Sequence, residues 1–190
     1  MITLEEKKQL LNQQPVVIWF TGLSGAGKST IAEALEKKLY EDGFKTQMLD
    51  GDIIRNGINK NLGFSIEDRL ENIRRISEVS KLLIYSGIIC LNSFISPTNE
   101  IREIAKAIIG EDNFLEIYVN TPLAVCEERD VKGLYKAARS GAIKNFTGIT
   151  SPYEPPENPA LSVKTENRKI DESVQEVYDF IIKKISYSRG

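Results

Sequence analysis

The chain of 190 residues contains no histidine, only two cysteines and one tryptophan. Without histidine the commonest general base and metal ligand is gone, so any proton transfer must rest on a carboxylate, a lysine, a tyrosine or water. Cys90 and Cys126 follow neither C-x-x-C nor zinc spacing, which leaves them as reduced, buried, small apolar residues. No apolar run approaches the roughly 18 residues of a bilayer span. The start, Met1-Ile2-Thr3-Leu4-Glu5-Glu6-Lys7-Lys8, does not read as a secretory signal. A cytoplasmic protein with no membrane partner is expected. A formal net charge of −2 makes no case for binding a nucleic-acid polymer.

Against these absences, 41% apolar and 27% charged residues describe a globular chain long enough for one good core. The stretch that organises it is Gly22-Leu23-Ser24-Gly25-Ala26-Gly27-Lys28-Ser29, followed by Thr30. It has the pattern G-x-x-x-x-G-K-S between the apolar run 16–20 and a helix opening at Lys28. Glycines let such a loop curl until its N–H groups point inward, beside the positive end of the following helix, so an anion fits there. Lys28 would reach the β- and γ-phosphates, and the Ser29 hydroxyl would ligate the Mg2+ carried by a nucleotide.

Strands are expected at 16–20, about 46–49, 88–94, 114–119 and about 161–163. They alternate with helical patterns after Lys28, from Ser65 to Gly87, around Ile101–Ile108, after Thr121-Pro122, and at Val174–Ile185. Thr121 reads as a helix cap with Pro122 at the first helical position. Residues 53–63 read as loop. Parallel neighbours need crossovers of a dozen or more residues, so this alternation specifies a three-layer α/β/α fold. Its sheet would be mostly parallel, with about five strands. Residues 1–14 form a short helical extension on the surface, and 15–190 one domain.

Ligands in such sheets gather beyond the carboxyl ends of the strands. Asp50-Gly51-Asp52 stands at one such end, where a carboxylate can serve Mg2+, with Asp50 as the candidate, or hold a substrate hydroxyl. Asp-Gly is also ordinary turn chemistry. The run from Ile88 ends without an acid, so Asp50 or Asp52 must cover the metal-linked and base-like duties. Arg69 and Asn72 share a helix face and, with Arg55, suit either a grip on a phosphate-like group or surface pairing. Phe64 and Phe146, in polar loops, fit stacking on a ring ligand or filling the core. From 129 to 147 there are five basic residues and one acidic one. This stretch reads as a basic lid, about 129–150, closing over phosphates, or as a solvated basic face.

Leu49-Asp50-Gly51-Asp52, Leu62-Gly63-Phe64-Ser65 with Asp68-Arg69, Glu71-Asn72-Ile73-Arg74-Arg75, Phe94-Ile95-Ser96-Pro97, Arg129-Asp130-Val131-Lys132-Gly133-Leu134-Tyr135 and Phe146-Thr147-Gly148-Ile149 join the phosphate loop in a pattern that resembles the adenylyl-sulfate kinases (APS kinases) over about residues 15–185. The resemblance implies transfer of the γ-phosphoryl of ATP to the 3′-hydroxyl of adenosine 5′-phosphosulfate (APS), and a homodimer. It implies that Asp52 deprotonates that hydroxyl while Arg55, Arg69 and Asn72 hold the phosphosulfate and ribose side. Phe64 and Phe146 would sandwich the adenine, with Ile95, Ser96, Lys132 and Thr147 lining the site. The ATP base would lie against Arg129 and the loop near Pro159. Ser96 occupies the position the family sometimes assigns to a phosphoserine intermediate, whereas direct in-line attack needs only positioning and charge stabilisation.

Asn56, Thr98 and Asn99-Glu100-Ile101 depart from the family pattern and leave room for a different acceptor. Two other readings therefore stand beside this one. One is a relative acting on another nucleotide or a small hydroxylated metabolite. The other is a GTP-binding switch. Asn59-Lys60-Asn61-Leu62 lacks the acid of a guanine signature, although Asp130-Val131-Lys132-Gly133 matches D-x-x-G.

Overall fold

The computed structural model describes residues 2–187. Residue 1 and residues 188–190, the outer ends of the two expected segments, lie outside the described residues. In chain order the elements are α1 (Leu4–Leu11), β1 (Val17–Thr21), α2 (Lys28–Glu41), β2 (Thr46–Asp50), α3 (Gly51–Asn56), α4 (Ile66–Tyr85), β3 (Ile89–Ser93), α5 (Asn99–Ile109), β4 (Phe114–Asn120), α6 (Leu123–Arg129), α7 (Leu134–Arg139), β5 (Leu161–Lys164) and α8 (Ile170–Ile185). The sheet order is β2-β3-β1-β4-β5, and every pairing is parallel.

Side chains alternate across a strand, so β1 feeds two cores at once. Ile18 and Phe20 join Leu35 and Leu39 of α2 and Val177 and Ile181 of α8 on one face. Val17 and Trp19 join Ile73 and Ile76 of α4 and Ile101 and Ala105 of α5 on the other. The three layers follow from that alternation. Both faces are covered, which is why β1 and β3 read as unbroken apolar or small-residue runs.

Two local expectations are corrected, and the basic stretch gains an element. The segment expected to be loop from 53 begins inside α3, because Asp50 accepts the Asp52 N–H and caps the helix, outweighing the glycine at its start. Pro122 takes the N-cap position of α6, and Thr121 turns its hydroxyl elsewhere. The basic stretch contains a further helix, α7, whose first amides at Tyr135 and Lys136 donate to Asp130.

The N-terminal segment is also tied in more firmly than a surface helix would be. No side chain of α1 is buried, but Gln13 just beyond it is. Its amide accepts from Lys45 N (2.8 Å) and donates to the carbonyls of Lys45 (2.9 Å) and Gly87 (2.7 Å). Gln13 thus stitches the entries of β2 and β3 together. Truncation in Gln13→Ala leaves the buried Gly87 carbonyl without its partner and removes two part-buried bonds to Lys45, so it should lower the unfolding free energy by about 1–3 kcal/mol. Urea denaturation at unchanged m-value is the check.

Candidate active site

Every parallel strand ends at the same edge, so Gly22, Asp50, Ser93, Asn120 and Thr165 meet around one cleft. The phosphate loop fills the gap between β1 and α2. Gly22 is required there because a Cβ would meet the Val119 carbonyl oxygen at 2.7 Å.

The loop is held by its carbonyls. Tyr135 donates its hydroxyl to the Ser24 carbonyl at 2.8 Å. Arg129 Nη1 reaches the Gly25 and Ala26 carbonyls at 3.4 and 3.3 Å. The Thr121 and Thr165 hydroxyls approach the Ala26 carbonyl at 2.9 and 3.1 Å. In a trans peptide the N–H of the next residue points opposite to the carbonyl. Anchoring these three carbonyls outward therefore turns the N–H groups of Gly25, Ala26 and Gly27 the other way. That of Ala26 closes a turn on the Leu23 carbonyl at 3.2 Å.

Lys28 lies 8% exposed with its Nζ 2.7 Å from the Leu23 carbonyl. Burial pushes its ammonium down to about 8, against the smaller opposing pull of nearby groups that include Asp50 and Asp52. Ser29 donates to Asp50 Oδ2 at 2.7 Å and sits 3.0 Å from the Ser93 hydroxyl. Asp50 and Ser29, both expected to serve a metal, thus converge on one spot. Among the described residues no group of three or more His, Cys, Asp or Glu is placed to hold a metal ion. A hydroxyl and a single carboxylate are hard oxygen donors that suit Mg2+ only if phosphates and water complete its shell.

The residues expected on the acceptor side make the following contacts. Asp52 is 70% exposed and ion-paired to Lys132, so the basic stretch reaches across the cleft mouth. Arg69 donates to the Phe64 carbonyl (3.0 Å), the Thr147 hydroxyl (2.8 Å) and the Asn145 carbonyl (2.6 Å), drawing the two aromatic loops together. The Arg55 guanidinium lies 4.3 Å over the exposed Phe64 ring. Phe146 sits half-buried with its ring edge-on to Tyr135, centroids 5.0 Å apart. Asn72 is buried and accepts from Asn59 at 2.9 Å. Ile95 is half-buried and gives its carbonyl to the Thr21 hydroxyl at 2.7 Å.

Ser96 requires correction. It is 2% exposed, and its hydroxyl accepts the Trp19 Nε1–H at 3.1 Å, so it serves the core rather than a phosphoryl group. Its backbone, at φ 40°, is held by Arg102, which donates to its carbonyl at 2.7 Å.

The adenylylsulphate kinase family model matches residues 14–164. The chain belongs to that family. An adenylyl-sulfate kinase of Bacteroides fragilis is 59% identical over 98% of this chain and 92% of its own length. The Mycobacterium tuberculosis APS kinase, solved in complex with AMPPNP and APS, superposes with a TM-score of 0.86 at 47% identity, covering 89% of this chain and 98% of that one. A hexameric APS kinase from Thiobacillus denitrificans gives 0.68 at 32% identity, covering 95% of this chain and 32% of that one.

In this APS kinase family member, the residues that sequence reasoning left without a site role are Thr21, Ser93, Arg102, Thr121, Tyr135 and Thr165. All of them hold backbone or partner groups from distant parts of the chain. Lys28 generates a prediction. Bound phosphate favours its charged form, so a group neutral in the free protein above pH 8 must gain a proton when the loop fills. Binding of a non-hydrolysable ATP analogue should take up about one proton at pH 9 and almost none at pH 7, and affinity should fall as pH rises above 8. Calorimetry in two buffers of different ionisation enthalpy reads this directly.

Proposed function

We propose that this chain is an ATP-dependent kinase that phosphorylates the 3′-hydroxyl of adenosine 5′-phosphosulfate, releasing ADP and 3′-phosphoadenosine 5′-phosphosulfate. The observation that carries the reading is the edge of β2. Asp50 is bonded to Ser29 of the phosphate loop, and two residues on Asp52 projects into the open cleft facing the basic stretch.

The phosphate loop and Lys28 hold the donor's β- and γ-phosphates. Arg129 anchors that loop beside the place where the donor base is expected. Ser29 and Asp50 would hold Mg2+ together with the donor, and the ion would supply charge neutralisation to the phosphates. Asp52 takes the proton of the 3′-hydroxyl as its oxygen bonds to the γ-phosphorus and the bond to the β,γ-bridging oxygen breaks. Lys132, paired with Asp52 across the cleft mouth, lines the acceptor site. Arg55, Arg69 and Asn72 secure the phosphosulfate and ribose, with Ile95 and Thr147 beside them, while the adenine lies between Phe64 and Phe146. The stretch 129–150 acts as the lid of one kinase domain, 15–190, and excludes water that would otherwise hydrolyse the donor.

The protein works in the cytoplasm as a homodimer, apart from nucleic-acid polymers and membranes; among the described residues no helix is long and apolar enough to cross a bilayer. Sedimentation equilibrium tests the dimer. A coupled ADP-release assay with APS, and with AMP, CMP and sugar acids as competing acceptors, tests the activity. Phosphorus NMR locates the new phosphate, and absence of turnover with APS at micromolar levels overturns the assignment.

Two substitutions separate the roles. Asp52→Asn should bind ATP normally yet lose about 10²-fold or more in kcat, measured in single-turnover experiments. Phe64→Ala should weaken the acceptor by about 1–3 kcal/mol if its ring stacks on the base, read as acceptor Kd by titration with the donor site left alone.

A further inference from the structure

Tyr135 touches both halves of the cleft. From the first turn of α7 its hydroxyl donates to the Ser24 carbonyl of the phosphate loop at 2.8 Å. Its ring packs edge-on against Phe146, centroids 5.0 Å apart and planes at 79°. The residue is 3% exposed, and its hydroxyl bond is part-buried. Its amide is bonded to Asp130, which sets the start of α7 and with it the direction of the side chain. Burial raises the phenol pKa, so the hydroxyl remains a donor at working pH.

We propose that Tyr135 is a positioning residue shared by the two nucleotide sites, its hydroxyl setting the phosphate loop for the donor and its ring seating Phe146 for the acceptor. The hydroxyl fixes the Ser24 carbonyl outward and thereby aims the Gly25 N–H into the loop. The ring meets Phe146 in the edge-to-face geometry that aromatic quadrupoles favour, which fixes one wall of the acceptor pocket. The second half of the inference rests on Phe146 as an acceptor contact.

The two contacts are separable by substitution. Tyr135→Phe keeps the ring and removes only the donor to Ser24. It should weaken a non-hydrolysable ATP analogue about three- to tenfold, with the Kd of APS, measured without donor, unchanged. Tyr135→Leu removes both contacts and should weaken the analogue similarly and APS about two- to tenfold. A 4-fluorophenylalanine placed at position 146 reports the seating of that ring by fluorine NMR. Its resonance should move or broaden in Tyr135→Leu and stay put in Tyr135→Phe. This readout does not depend on APS being the acceptor, so failure of APS to bind the wild-type protein counts against the functional reading alone. Unaltered affinity for the ATP analogue in Tyr135→Phe, or an unmoved fluorine resonance in Tyr135→Leu, overturns the inference. Thermal melts of each variant confirm that the molecules titrated are folded.

Discussion

The orientation of three peptide groups, those following Ser24, Gly25 and Ala26, governs what this molecule can do. Each carbonyl is captured from outside the loop, by Tyr135, Arg129, and Thr121 with Thr165. Backbone amides facing a shared point make an anion site only if they cannot rotate away. A glycine-rich loop, with its freedom of φ, would otherwise do so readily. The captors come from α6, α7 and the ends of β4 and β5, so the sheet, by bringing strand ends together, makes the loop rigid. The loop's rigidity is in this sense a property of the whole carboxyl edge.

Charge is distributed around that edge with a clear division. The buried ammonium of Lys28 sits within the loop, while the carboxylate of Asp52 and the ammonium of Lys132 face solvent at the mouth. An exposed pair of this kind contributes little to stability. Its partners can therefore separate at little cost in stability. Deeper in, Arg102 is 3% exposed and lies with Nε 3.0 Å from Glu116 Oε1, at ion-pair distance but not aligned as a hydrogen bond. Its remaining donors bind the carbonyls of Ser96 and Glu154 and the side-chain oxygen of Asn99. Removing one member of such a set leaves a buried charge without compensation. The cluster thereby ties the turn after β3 to the segment that follows Phe146.

Much of this was legible in the residues. The phosphate loop, the alternation of strands and helices, and the acids at the end of β2 are local patterns, and Asp50, the last residue of that strand, accepts from Ser29. Thr121 misled because Thr-Pro before a helix carries the signature of a cap, yet its hydroxyl goes to Ala26, 95 positions away in sequence. Ser96 misled differently. The resemblance put it in the cleft, but Trp19 on the neighbouring strand carries a buried N–H that needs an acceptor, and Ser96 supplies it.

The sequence by itself determined the class of fold, the donor loop and the acidic edge beside it, because each follows from short-range periodicity or from a few adjacent residues. Only the tertiary structure decided which side chains hold that loop, which hydroxyls belong to the core, and that Arg69 joins the two aromatic loops. Those outcomes depend on which buried donor finds which acceptor across distant segments, and a one-dimensional pattern holds no record of that pairing.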